Sequence, residues 1–286
     1  MTSQKPTVVN AAEHRHAIAD GVGPKSESAG AKAVFVRTMF ARIVPRYDLV
    51  NRLMTMGLDR QWRRETAALV RPSGAVALDI ATGTGDLAIE LARQGARRVI
   101  GADFCDGMLR AARSKAVRLS PNFTGALDFV GGDATNLPFR NSTFDCIVNG
   151  FMLRNVTDLA ASFAELARVL KPGGRLACLD LTPPRGLGHG VLGFYIGTIV
   201  PLLGGVVSGD YRAYRWLGQS LRPHPDAEAM AALMRAAGFN EVGYRLIGMG
   251  TVAIHYAIKS HLPERSDQPR NIPSGERVAD HGRGAA

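Results

Sequence analysis

The stretch Leu78-Asp79-Ile80-Ala81-Thr82-Gly83-Thr84-Gly85-Asp86 constrains this chain more than any other. A short apolar run passes into a turn with two glycines and then into a helical pattern. Glycines at such a turn let a ligand approach the backbone where side chains would collide. The strand rhythm repeats downstream: Ala75–Ile80, Arg98–Asp103, Leu127–Gly131, Phe144–Asn149 and Arg175–Leu181 are short and apolar or β-branched, with helical stretches separating several of them. Such alternation predicts an α/β fold with a mostly parallel sheet covered by helices. Leu87–Arg93 reads as a helix capped by Asp86 and stopped by Gly95, and Asp158–Leu170 as another, ended by Lys171-Pro172-Gly173-Gly174. A helix over Asp226–Ala237 follows, and Val242–Leu246 with Thr251–Lys259 closes the pattern as a pair of strands.

A chain of 286 residues, 46% of them hydrophobic, can bury one substantial core. Residues 1–33 and 261–286 are rich in Ser, Gly, Pro, Asp and Arg with few aromatics, so they are predicted to be disordered tails around one domain over 34–260. Gly186–Gly209 carries no formal charge, yet many glycines and Pro201 interrupt it, whereas a membrane-spanning helix needs a smoother apolar run. The expectation is a helical cover, about 186–222, over an apolar substrate site, with an ordinary buried helix as the alternative. The N-terminus lacks the apolar core of a secretory signal, which predicts a cytoplasmic protein. Cys105, Cys146 and Cys178 lack C-x-x-C spacing and read as buried thiols, so no metal is expected. A net charge of +10 invites polyanions, but the arginines are scattered, the densest short cluster being Arg60–Arg64, and no aromatic-interleaved stripe of the kind used by single-strand binders is visible. No nucleic-acid partner is expected; the basic balance would instead help peripheral attachment to the inner face of an anionic membrane. Nothing in the sequence sets an oligomeric state.

Asp103 closes the second strand twenty residues after Gly83, where a carboxylate at the carboxyl edge of the sheet can accept both hydroxyls of a ribose. Gly83-x-Gly85-x-x-Ala88 formally satisfies the looser dinucleotide fingerprint as well, and on that pattern alone a nicotinamide or flavin cofactor stays open. Three features favour S-adenosyl-L-methionine. Asp79 and Asp86 bracket the loop, and carboxylates suit an ammonium and a sulfonium better than a pyrophosphate. Gly132-Asp133-Ala134-Thr135-Asn136-Leu137-Pro138-Phe139 offers an acid or amide for an adenine amino group, with apolar residues to flank the ring. Phe144-Asp145 opens the fourth strand, and Leu170-Lys171-Pro172-Gly173-Gly174 turns into the fifth. The candidate cofactor residues are Asp79, Thr82, Gly83, Thr84, Gly85, Asp103, Phe104, Asp133, Ala134 and Gly150.

Over about Met39 to Lys259 the chain resembles the ubiquinone and menaquinone biosynthesis C-methyltransferases. The resemblance is carried by Met39-Phe40-x-x-Ile43, Tyr47-Asp48-x-x-Asn51, Gly57, Trp62-Arg63-Arg64, Thr82-Gly83-Thr84-Gly85-Asp86, Leu137-Pro138-Phe139, Arg168-Val169-Leu170-Lys171-Pro172-Gly173-Gly174, Tyr211-x-x-Tyr214-x-x-Leu217-x-x-Ser220 and Gly238-Phe239. Its most specific block is Leu153-Arg154-Asn155-Val156. The glycine loop and the Lys-Pro-Gly-Gly turn are common to many methyltransferases, so the substrate assignment rests on the narrower blocks. Met152, Gly150 and Asp180 depart from the residues most usual at their positions in the family.

The resemblance implies a Rossmann-like class I methyltransferase with a mostly parallel seven-stranded sheet and helices on both faces. It also implies methyl transfer to a ring carbon of a polyprenylated quinol or another small aromatic. Thr84, Asp103, Asp133 and Ala134 would then contact the cofactor, and Arg154 with Asn155 would sit where the ring meets the methyl group. Arg154 would stabilise a developing phenolate or form a structural ion pair, while Tyr47, Asp180 or His255 would handle the proton. For His255 a satisfied strand histidine is the favoured reading, and Tyr47 is equally a packing residue over the cofactor. A dinucleotide oxidoreductase and a non-catalytic cofactor-binding protein are the rival classes.

Overall fold

The computed structural model describes residues 29–119, 125–183, 193, 195–221 and 223–261. Seven strands, β1 Val76–Ile80, β2 Arg98–Asp103, β3 Ala126–Gly131, β4 Phe144–Gly150, β5 Leu170–Leu181, β6 Phe239–Ile247 and β7 Val252–Lys259, form one sheet in the order β3-β2-β1-β4-β5-β7-β6. Every pairing is parallel except those of β7, which runs antiparallel to both β5 and β6. The expected mostly parallel seven-stranded sheet is what the chain forms.

Period-2 alternation sends neighbouring residues to opposite faces. Ala77, Cys146, Val148 and Ala177 pack toward helices α3 (Leu58–Leu69), α4 (Asp86–Arg93) and α5 (Asp106–Leu119). Leu78, Ile80, Ile147, Leu176 and Cys178 pack toward α6 (Leu159–Val169) and α9 (Ala227–Ala236). The sheet is therefore buried on both sides, as parallel sheets require. All three cysteines are buried free thiols.

Two helical segments lie over the carboxyl ends of the strands. One is α1 (Ala29–Ile43) with α2 (Tyr47–Met54); the other is α7 (Val200–Ser208) with α8 (Tyr211–Leu221). Met39, Ile43, Val50, Ala213 and Tyr214 form their shared core. Helices α7 and α8 approach so closely that a Cβ built on Gly204 would lie 2.1 Å from Tyr214 Cγ, so a larger residue there would part them.

Several expectations are corrected. Helix α1 starts at Ala29, inside the predicted tail, because Lys32 Nζ donates to Val156 O at 2.8 Å and ties this turn to the body. Asp86 does not cap α4: Gly85, at φ 84, is the N-cap, and the Asp86 carboxylate is bound by Lys115 Nζ at 2.6 Å. Strand β5 begins at Leu170, before the Lys-Pro-Gly-Gly turn, since Leu170 already pairs with Phe144 and the turn is accommodated where the register shifts. Strand β6 is longer than predicted, starting at Phe239 directly after the left-handed Gly238 and passing a register shift between Asn240 and Gly243. Asp158 does cap α6, accepting from Ala161 N at 2.9 Å, and Asp226 caps α9. Residues 1–28, 120–124, 184–192, 194, 222 and 262–286, which include most of both predicted tails and the first part of the predicted cover, lie outside the described residues.

Candidate active site

From β1 the chain proceeds to β2 and β3 on one side and then crosses to β4 on the other, so a crevice opens where β1 and β4 end. Ligands gather at such a switch point because loops there diverge and leave backbone groups exposed. The glycine loop lies in this crevice. Thr82 N donates to Ala102 O and Gly85 N to Thr82 O, which closes the turn, and Gly83 and Gly85 take φ values of 55 and 84. Ala81 shares the left-handed region at φ 54, an uncommon conformation for a residue with a Cβ.

Asp103 is nearly fully buried and holds the loop. Its Oδ2 accepts from Gly83 N and its Oδ1 from Cys105 N, both at 2.8 Å, yet burial still pushes its pKa up. A carboxylate has about four acceptor positions, so Asp103 keeps capacity for ligand hydroxyls. Asp79 is buried at 1% exposure; its Oδ2 accepts from the Thr82 hydroxyl at 2.6 Å while its Oδ1 has no hydrogen-bond partner. Burial pushes its pKa up to about 7, against the lowering effect of Thr82. A half-satisfied buried carboxylate is costly unless a cation arrives to pair with it.

Asp86, the loop's other acid, is already neutralised by Lys115. Burial would raise its pKa, but the lysine outweighs that and holds it low. The same Lys115 Nζ lies 2.5 Å from Asp48 Oδ2 and 3.0 Å from Thr84 Oγ1, and Thr84 also donates to Asp48. Thr84 is thereby spent on fastening α2 to the loop. At β3, Asp133 Oδ1 accepts from both the amide and the hydroxyl of Thr135, which leaves its exposed Oδ2 for a ligand donor.

Three cavities adjoin. The first, about 840 Å³ with its open mouth included, has Gly83, Asp103, Phe104, Met108, Asp133 and Ala134 along its walls. A smaller one at its base, about 330 Å³, is bounded by Asp79, Thr82, Thr84, Gly150 and Arg63. Nine of the ten predicted cofactor residues thus line these two spaces, and Gly85 shapes the turn between them. The third cavity, about 970 Å³, is mostly apolar, walled by Met39, Ile43, Met54, Trp62, Val200 and Trp216 among others. The first and third meet at Phe40, Tyr47, Phe151 and Asn155.

Arg154 lines the third cavity and is also ion-paired: its Nη1 donates to Asp180 Oδ1 at 2.6 Å, with both side chains under 10% exposed. Arg154 is thus both a wall residue of the third cavity and a member of a buried ion pair; of the two residues expected where the ring meets the methyl group, only Asn155 lines both cavities. Asn155 accepts from Trp216 Nε1 at 3.3 Å and donates to Phe151 O at 3.3 Å. The ring of Tyr47 lies over the glycine loop, its Cε1 4.0 Å from a Cβ built on Gly83, and burial pushes its phenol pKa up despite Arg63 and Arg154 nearby. His255 does not line these cavities; its Nε2 is 2.8 Å from Ala227 O while its buried Nδ1 has no hydrogen-bond partner, so the strand histidine is only half satisfied, and burial lowers its pKa.

Sequence reasoning missed three residues. Phe151, at φ 59, stands between the cavities with the guanidiniums of Arg63 and Arg154 each 5.6 Å from its ring centroid. Arg63 is paired with Asp59 on α3. Tyr214 is buried on the wall of the third cavity, its hydroxyl lacks a hydrogen-bond partner, and burial pushes its pKa up to about 12. The helical spacing of Val36, Met39, Ile43, Tyr47 and Val50 was a legible sign of the roof that carries Tyr47.

Residues 26–259 match the ubiE/COQ5 methyltransferase family. The chain belongs to that family. It is 46% identical over 234 residues to the demethylmenaquinone methyltransferase of Roseiflexus sp. (strain RS-1), a match that spans 80% of this chain and 94% of the relative. It is 42% identical to the ubiquinone/menaquinone biosynthesis C-methyltransferase UbiE of Desulfotalea psychrophila, over 78% of this chain and 90% of that one. Among solved structures, a SAM-dependent methyltransferase from Thermotoga maritima superposes with a TM-score of 0.56 at 20% identity, covering 79% of this chain and 100% of its own. The cyclase SpnF does so with a TM-score of 0.54 at 23% identity, over 70% of this chain and 81% of its own. These structural likenesses show the fold alone, a class I methyltransferase fold that also serves other chemistry. As a member of the ubiE/COQ5 family, the enzyme is an S-adenosylmethionine-dependent methyltransferase, and the unpaired Asp79 oxygen beside Gly83 and Asp103 fits that cofactor's ammonium end.

Proposed function

We propose that this enzyme methylates a ring carbon of a polyprenylated quinol in the third cavity, with a demethylated naphthoquinol of the menaquinone type as its substrate. The observation that carries the reading is the meeting of a cofactor-shaped space with a large apolar one at Phe40, Tyr47, Phe151 and Asn155. The names of the relatives at 42–46% identity support the substrate class.

In this reading Asp103 accepts the ribose hydroxyls, Asp133 and Ala134 meet the adenine edge, and Asp79 pairs with the ammonium, its loop backbone brought close by Gly83 and Gly85. Phe104 and Met108 flank the base, while Thr82, Thr84 and Gly150 shape the floor. S-adenosylmethionine, when bound, supplies an electrophilic methyl group on a sulfonium. The protein must therefore raise electron density on the ring carbon and hold it in line. The guanidinium of Arg154, fixed by Asp180, stabilises the negative charge of an ionised ring hydroxyl in a wall of low polarity. Tyr214, neutral at physiological pH with its buried hydroxyl near Ser208, packs its ring against the quinol. Asn155 orients the ring, and Tyr47 roofs the junction and excludes water. The bound cofactor would supply the methyl group and depart as a neutral thioether, and the proton displaced from the methylated carbon would pass to the ionised ring oxygen that Arg154 stabilises, which restores the aromatic ring.

The polyprenyl tail would continue along the apolar wall of the third cavity, where Val200, Ala213, Tyr214 and Trp216 from the predicted cover stand. No helix among the described residues is long and apolar enough to cross a membrane, so contact with the lipid that carries such a substrate would be peripheral. The test is incubation with methyl-labelled S-adenosylmethionine and a reduced, short-tailed demethylated naphthoquinol, alongside the corresponding benzoquinol. Label on a ring carbon of the naphthoquinol is expected. Label on oxygen, transfer to the benzoquinol only, or no transfer would each overturn the assignment.

A further inference from the structure

Helix α2 packs against helix α7, and together they border the third cavity through Met54, Thr55 and Val200. Beyond that border both turn apolar side chains to solvent. Leu49 and Leu53, one helical turn apart, continue into Met56, while Leu202, Leu203 and Val206 share one side of α7. Met56 is 78% exposed and Val206 80%, values that leave these large side chains almost wholly unburied. Single exposed hydrophobes are ordinary; five on two packed helices, with Met56 just past the end of α2, at the rim of an apolar cavity make a surface that water covers at a cost.

The charge around this surface has one sign. Arg46, Arg52 and Arg60 are exposed on the same stretch of chain. The acid on α2 and those in the chain just beyond α2 and α7 are spoken for: Asp48 is bound by Lys115, Asp59 by Arg63, and Asp210 by Arg42 at 2.9 Å. An apolar face with exposed guanidiniums along its α2 side, and with its nearby carboxylates neutralised, complements an anionic lipid headgroup layer over acyl chains.

We infer that the α2–α7 face docks the enzyme on an anionic bilayer and opens the third cavity to the acyl region, so that a lipid-soluble substrate enters without crossing water. This inference rests on the quinol reading for its cargo, whereas the docking itself depends on the face alone. The protein would lie on the membrane with α2 and α7 embedded in the headgroup boundary.

Flotation with phosphatidylcholine vesicles, with and without phosphatidylglycerol, tests it. The full chain, the double variant Met56→Asp/Val206→Asp, and a control Val117→Asp on α5 are compared, since Val117 is exposed and lies outside this face. The full chain and the control should float with the anionic vesicles, and the double variant should lose that binding by at least about tenfold. Its S-adenosylmethionine affinity and its turnover of a short-tailed quinol in buffer should stay within about twofold, because neither residue lines a cavity. Its turnover of a polyprenylated quinol held in vesicles should fall with the binding. The inference is overturned if the full chain stays out of the lipid fraction, or if the double variant floats as well as the full chain. It is equally overturned if sedimentation shows a dimer that the double variant dissociates and no vesicle binding, which would make the face a contact between copies of this chain. Vesicle binding without turnover of either quinol would sink the substrate assignment and leave the docking surface standing.

Discussion

At the scale of single residues, the site is built from groups that are poorly satisfied by the protein alone. Asp79 is the clearest case: one oxygen is bound by Thr82, the other has no hydrogen-bond partner, and its pKa stands at about 7 because burial outweighs the lowering effects of Thr82 and the Ala88 backbone. An acid whose pKa is higher in the folded than in the unfolded state holds its proton more tightly when folded. Its contribution to stability is then present below about pH 4 and is lost as pH rises toward about 7. Asp79→Asn should remove that loss, raising the stability of the ligand-free protein at pH 8 by about 1–3 kcal/mol in denaturant titrations. The same variant should bind S-adenosylmethionine at least about tenfold more weakly, since the ammonium loses its counter-charge. In the unmutated enzyme the apparent dissociation constant should climb by about tenfold per unit as pH falls well below 7, where free Asp79 is protonated. Calorimetric titration across pH 5.5–8.5 checks both; an affinity that is flat with pH and unchanged in the variant would exclude Asp79 from the site.

At the scale of elements, the decisive unit is strand β1, its glycine turn and helix α4. The type of each element was legible in the residues: an apolar run for the strand, two glycines for the turn, apolar periodicity for the helix. What the pattern could not show is why Gly85 is needed. It sits at φ 84, and a Cβ there would lie 3.1 Å from Ala112 Cβ on α5 and 3.1 Å from Phe129 Cζ on β3. Gly85→Ala should therefore cost about 1–3 kcal/mol of stability from backbone strain, with crowding adding to it. It should also weaken cofactor binding by displacing the turn, measured by thermal shift with and without S-adenosylmethionine. A variant as stable as the parent would show that the turn relaxes freely. The capping error at Asp86 has the same origin: an acid at a helix start is an ordinary cap signal, and only the arrival of Lys115 from α5 turns it to another use.

At the scale of the whole molecule, function depends on two cavities that share a wall. Phe151 is that wall's centre, held at φ 59 with a guanidinium on either side, 5.6 Å from the ring in each case. A bulky residue in the left-handed region costs about 1–3 kcal/mol, which the surrounding structure must offset. Phe151→Gly would relieve that strain while removing the ring both cavities share. Stability should change by no more than about 1–2 kcal/mol, strain relief opposing lost burial. Methyl transfer should fall by at least about tenfold, with cofactor affinity within about threefold of the parent, because alignment of the two ligands is lost while each pocket persists. Rapid-mixing single-turnover assays separate the effects, and an unchanged transfer rate would show that Phe151 plays no part in alignment.

The sequence by itself determined the sheet, the helices that cover it, the loop and the acids at its strand ends, because those features follow from local periodicity and from the few residue types a tight turn accepts. It also carried the family in Leu153-Arg154-Asn155-Val156 and the blocks around it. Only the tertiary structure decided which acids stay available. Asp79 keeps a bare oxygen while Asp86 is claimed by Lys115 and Asp180 by Arg154, and His255 turns away to Ala227. Such choices are made between residues far apart in the chain, as with Asp48 and Lys115, and no local pattern records them. The same holds for the roof: α1, α2, α7 and α8 meet only when the chain folds back across the sheet, and their junction creates the apolar cavity.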